Sequence, residues 1–155
     1  MTSAVDEASE SDAPVQPERV ARQTPFRARL SGPWRVAVIE HSMKPTIEAG
    51  DWLLVDPTVR TWPRRGAIVV FREPDSDGLA VKRIAAGPGD RVPFAEGFLH
   101  LGADEAWLLG DASDDSRDSR IYGPVPVDLL VGRAWFRYAP RSRFGRLGVR
   151  SAPER

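Results

Sequence analysis

Between residues 34 and 138 the chain is a succession of short runs rich in Val, Ile, Phe and Trp, at 34–39, 52–55, 67–71, 79–85, 98–101, 107–109 and 130–138. Each has the length and composition of a β-strand. Between them lie EAGD at 48–51, PDSDG at 74–78, GPGD at 87–90 and AEG at 95–97, all with the residues that tight turns require. Only 42–48, 115–119 and 127–130 leave room for a turn of helix. Many closely spaced strands without long helical periodicity predict an all-β fold, a sandwich or partly closed barrel, over residues 32–140. The 155-residue chain suits one such domain, and no internal repeat divides it.

The flanks differ from this pattern. Residues 1–31 carry Ser, Glu, Asp, Gln and Pro with hardly a large apolar side chain before Phe26 and Leu30, too little burial to offset the entropy of ordering. They are expected to be a disordered polar tail. Residues 141–155, RSRFGRLGVRSAPER, are expected to be a loosely attached basic tail. Lys plus Arg and Asp plus Glu each total 22, so no net field draws the molecule to nucleic acid. The absence of cysteine removes disulfides, thiolate zinc sites and a cysteine nucleophile. The longest apolar run, 67–71, falls far short of the ~20 residues of a spanning helix, and the acidic start is unlike a secretory signal. A cytoplasmic location is expected. Its alternative is a peripheral membrane contact through Trp62, Phe94 and Phe98.

Ser42 lies in EHSMKPT, between a predicted strand and the EAGD turn, where a hydroxyl can be presented to a substrate. Pro45 fixes its own φ and biases Lys44 away from helix. A serine nucleophile needs a base, and the histidines serve poorly. His41 adjoins Ser42, so on extended chain it points to the opposite face. His100 is the polar member of an alternating strand, a solvent-facing position. Lys82 lies inside LAVKRIA, on the strand face of Ala80 and Ile84. Desolvation disfavours the charged form of an amine, so a lysine on an apolar face can act as a general base, whereas the neighbouring Arg83 stays protonated. The bland reading of Lys82 is a side chain that snorkels to water.

The carboxylate-rich GDASDDSRDSRIYG at 110–123 fails as a calcium loop. Counted from Asp111 or from Asp114, its sixth position is Ser116 or Ser119 and its twelfth is Tyr122 or Val125, where glycine and glutamate are needed. No metal and no cofactor are predicted. What remains is a polar loop in which Asp118 can pair with Arg120 or Arg83 and serines can bond a neutral amine.

Taken together, SMKPT, GDWLLV, VKRIAAGPGD and GDASDDSRDSRIYGPV resemble, in order, the boxes of type I signal peptidases, over roughly residues 34–140. The resemblance implies an all-β serine endopeptidase with Ser42 as nucleophile and Lys82 as base. It further implies Arg83 beside the base, Ser116 orienting the lysine, an Asp118/Arg120 ion pair, and the Ser42 backbone N–H in the oxyanion hole. Its substrate would be a precursor protein whose signal or leader peptide binds as an added strand. The chain departs from the family in its polar start where members carry membrane helices. It also has Glu40 where a hydroxyl or glycine often precedes the nucleophile by two, and Ala112 for an asparagine. The missing anchor is similar to a soluble branch, the maturation proteases of nickel-containing superoxide dismutase. Glu40 is expected to turn away from the site, toward Arg35 or Lys44, since a carboxylate would repel a developing oxyanion. Two other functions fit less well. A non-catalytic module that captures extended peptides needs neither Ser42 nor Lys82, and an autocleaving SOS-type repressor needs a helix-turn-helix that residues 1–31 do not encode.

Overall fold

A computed structural model describes residues 34–150; the tail expected over 1–31 lies outside this range. The described chain forms ten strands: β1 (Trp34–Ala37), β2 (Trp52–Asp56), β3 (Ile68–Arg72), β4 (Leu79–Ala86), β5 (Arg91–Phe94), β6 (Gly97–His100), β7 (Glu105–Leu109), β8 (Val125–Pro126), β9 (Leu130–Ala139) and β10 (Gly145–Arg146). Helix is confined to α1 (Ser119–Tyr122) and to 3-10 turns at Ser113–Asp115, Val127–Leu129 and Arg141–Arg143. The fold is all-β, as its run-and-turn pattern requires.

One antiparallel sheet runs β1-β2-β9-β3-β4-β7-β8, with β10 also on β9, and β5-β6 stand apart as a hairpin. Register shifts between β2 and β9, β3 and β9, and β4 and β7 mark bulges. A bulge bends its strand and increases twist, and these curl the sheet into a half-barrel. Because the curl buries both faces of β3 and β4, their sequences are nearly continuous apolar runs rather than alternating ones. Ile68, Val70 and Val81 face Val38, Met43, Ile47, Leu53, Val55 and Ala134. On the other face Val69, Phe71, Ala80 and Ile84 pack with Ala106, Leu108 and Val125. A third cluster of Ala86, Val92, Leu101, Trp107 and Leu109 seats the β5-β6 hairpin.

Three expectations need correction. Residues 42–48 form successive turns closed by Lys44 N–H to His41 O (3.2 Å) and Ile47 N–H to Met43 O (2.9 Å), without helix. The turn expected over 115–119 starts later, at Ser119, because Asp118 caps it by accepting from the Arg120 N–H. The segment from 141 to 150 is not loose. β10 pairs with β9, the Leu147 N–H donates to Trp135 O (3.0 Å), and Leu147 packs on the first cluster. Its apolar Leu147 sits among arginines, so composition hides the contact. Among the described residues no helix is long and apolar enough to cross a membrane.

Candidate active site

The loop after β1 is pinned at both ends. Val38 exchanges backbone bonds with Asp51 and Gly50 (2.9 and 2.8 Å), and Met43 and Ile47 bury their side chains in the first cluster. Between these anchors Ser42 is 5% exposed, and its carbonyl accepts from the Ala112 N–H at 2.9 Å. Lys82, in the middle of β4, lies opposite Val69 of β3 and is 1% exposed. The structure brings the two together, with Lys82 Nζ 2.5 Å from Ser42 Oγ. The amine does not snorkel to water. It ends on the hydroxyl.

Glu40 does not turn away. Its Oε2 stands 3.3 Å from Ser42 Oγ and 3.4 Å from Lys82 Nζ. The buried amine and hydroxyl both offer donors that a carboxylate within reach can accept, while the Arg35 guanidinium lies instead over the Tyr138 ring.

Arg83, next on β4, leaves by the opposite face and is also 1% exposed. Its fork bonds both Asp111 oxygens (2.8 and 2.7 Å) and Gly66 O (2.8 Å). Such a bidentate bond fixes geometry as well as charge, here tying β4 to the 110–118 loop. Asp118, fully buried, takes Arg120 Nε and Nη2 (2.8 and 2.6 Å), the Gly110 N–H (3.0 Å) and Ser116 Oγ (2.7 Å). Burial pushes its carboxyl up, but the bonds from Arg120, Gly110 and Ser116 outweigh it and hold the group below the usual carboxylate range. Asp118 therefore pairs with Arg120 and not with Arg83. Ser116 spends its hydroxyl on Asp118 rather than on Lys82. It stands beside the nucleophile loop all the same: a Cβ on Gly110 would lie 2.1 Å from Ser116 Oγ and 2.6 Å from Ser42 O.

Sequence reasoning missed Asp111 and Gly110. The only available signal for Asp111 was its place at the head of a loop already full of carboxylates. Gly110 lacks even that. Neither histidine bonds Ser42; His41 and His100 are both exposed. No group of three or more metal-ligating side chains occurs among the described residues. Of the three aromatics named for a membrane contact, Trp62 donates to Asp104 O (2.7 Å) and Phe94 packs edge-on to Trp107 (5.7 Å). Phe98 stays exposed beneath Arg91.

A serine hydroxyl held on a buried lysine amine, on a curled antiparallel sheet and with no histidine in the bonded set, describes a serine peptidase. The family described as signal peptidase, peptidase S26, matches residues 26–101 and 95–139. The chain is 38% identical over 115 residues to mitochondrial inner membrane protease subunit 1 of Xenopus tropicalis, covering 68% of this chain and 69% of that protein. It is 31% identical over 140 residues to signal peptidase I of Leptolyngbya laminosa, covering 69% of each. Against thylakoidal processing peptidase 1 of Arabidopsis thaliana it is 27% identical over 154 residues, covering 76% of this chain and 45% of that one. The chain belongs to the signal peptidase, peptidase S26, family and is a serine-type endopeptidase of that leader-removing class.

Proposed function

We propose that this protein removes the leader of a precursor protein with Ser42 as nucleophile and Lys82 as general base. The observation that carries the reading is the 2.5 Å contact between Lys82 Nζ and Ser42 Oγ, both buried. In its neutral form the amine accepts the Ser42 proton as Oγ attacks the scissile carbonyl carbon. The protonated amine then gives that proton to the departing nitrogen as the C–N bond breaks, leaving an acyl ester on Ser42. Water, giving a proton to Lys82, attacks the ester; the C–O bond breaks and Ser42 recovers its hydrogen. The Ser42 backbone N–H would meet the oxyanion. Arg83–Asp111 and Arg120–Asp118–Ser116 hold β4 and the 110–118 loop against the nucleophile loop.

Strand addition is the proposed mode of binding. Ile39 is 85% exposed three residues before the nucleophile, and the main chain of Ile39 and Glu40 makes no backbone hydrogen bond among the described residues. An unpaired stretch beside the hydroxyl suits an extended leader. Relatives named as signal peptidase I favour a signal peptide over the superoxide dismutase precursor as substrate. The names of the mitochondrial and thylakoidal relatives likewise favour a peripheral membrane location over the cytoplasmic one expected from sequence. Incubation with candidate precursors, followed by sequencing of the new N-terminus, tests the function.

A further inference from the structure

Glu40 is the acid that reaches the Ser42/Lys82 pair among the hydrogen bonds of the described residues. Its side chain is 42% exposed while that of Lys82 is 1% exposed, so one carboxylate joins the buried amine to the solvent side of the site. We propose that Glu40 is a positioning residue of the dyad, holding the Lys82 amine against the Ser42 hydroxyl. The inference rests on the proposed dyad.

The geometry separates the two partners of Ser42. Its Oγ lies 2.5 Å from the amine and 3.3 Å from the carboxylate, so the amine is the better placed to take the proton. Glu40 acts on the amine instead. Its Oε2 stands 3.3 Å from Oγ and 3.4 Å from Nζ, so one carboxylate oxygen bridges the two groups and fixes their separation. Partial exposure screens the interaction and keeps it moderate.

The other charged groups near Lys82 do not compete for this role. Asp118 is engaged by Arg120, Ser116 and the Gly110 N–H. Arg83 is bound to Asp111 on the opposite face. Arg133 shares the Lys82 face but stands beyond Val69, opposite Asp56. The Tyr122 hydroxyl stays neutral, pushed up by burial and then by the charges of Asp118, Glu73 and Glu40. His41 is exposed and bonds neither member of the pair.

The test is kcat and KM for precursor cleavage in wild type, Glu40→Ala and Glu40→Gln. Glutamine keeps the shape of the side chain and an oxygen acceptor in the same place. We expect Glu40→Ala to lower kcat about tenfold with KM within about twofold, because the amine loses the partner that fixes it on Ser42. Glu40→Gln should bring kcat back to within about threefold of wild type. A wild-type kcat in Glu40→Ala overturns the proposal, as does a kcat about a hundredfold lower in Glu40→Gln, which would make Glu40 a base in its own right. Ser42→Ala and Lys82→Ala separate the layers. If both are inactive and Glu40→Ala keeps the wild-type kcat, the role of Glu40 alone fails; if either is active, the dyad fails with it.

Discussion

At the scale of single residues, the two members of the proposed dyad and the Asp118/Arg120 pair were legible, while the partner of Arg83 was not. Lys82 stands out as a cation on an apolar strand face; Ser42, in a Pro-fixed loop, stands out only together with it and the boxes around both. Partners are set by long-range contacts, so Arg83 finds Asp111, 28 residues away, and nothing in VKRIAA or GDASDD announces it. Glu40 departs from its expected place for a related reason: its contact with the Lys82 amine, beside the Ser42 hydroxyl, comes from a strand 42 residues away, while the oxyanion that would repel it forms only during turnover. Asp118 yields a prediction at this scale. Because its folded carboxyl titrates below its unfolded value, its contribution to stability is complete above the ordinary carboxylate range near ~4 and is lost as pH falls through the folded value. Asp118→Ala leaves the Gly110 N–H, the Ser116 hydroxyl and the Arg120 fork without their acceptor. We expect a loss of about 3 kcal/mol at neutral pH and a shallower decline of stability toward acid than in wild type, both read from urea titrations at a series of pH values. A variant as stable as wild type at pH 7 would contradict the buried network.

Elements followed the sequence closely wherever a run was apolar. The seven expected runs correspond to β1, β2, β3, β4, β6, β7 and β9. β5 escaped because Arg91 and Pro93 break its pattern, and its pairing with β6 comes from the two-residue hairpin turn at 95–96. β8 and β10 are two residues each, below any periodic signal. What sequence could not show is the curl, which comes from register shifts and from one close approach: a Cβ on Gly132 of β9 would lie 2.6 Å from both Asp56 O and Val55 Cγ1 of β2. Gly132→Val should therefore destabilise the protein by about 1–3 kcal/mol by forcing β9 from β2, and Phe71→Ala by about 3–5 kcal/mol by opening a cavity in the second cluster. Thermal and urea unfolding check both. A neutral Gly132→Val would mean that β2 and β9 do not pack as closely as described.

For the molecule as a whole, zero net charge and the absence of cysteine narrowed the classes of function, and the ordered boxes pointed to the family to which the chain belongs. Location is less directly inscribed in the fold. Of the aromatics named for a membrane contact, Phe94 and Phe98 stay 41% and 63% accessible, and the proposed peripheral contact predicts recovery with membranes at low salt and release by carbonate. Fractionation of cells expressing the complete gene checks this, and recovery wholly in the low-salt supernatant would contradict it. The account's central claim is the Ser42/Lys82 dyad, and the most direct measurement is cleavage of a precursor by wild type, Ser42→Ala, Lys82→Ala, His41→Ala and His100→Ala, with the new N-terminus sequenced. The dyad predicts that the wild type and both histidine variants yield the same new N-terminus at similar rates, while Ser42→Ala and Lys82→Ala yield none. Cleavage by Lys82→Ala near the wild-type rate, with His100→Ala inactive, would contradict it.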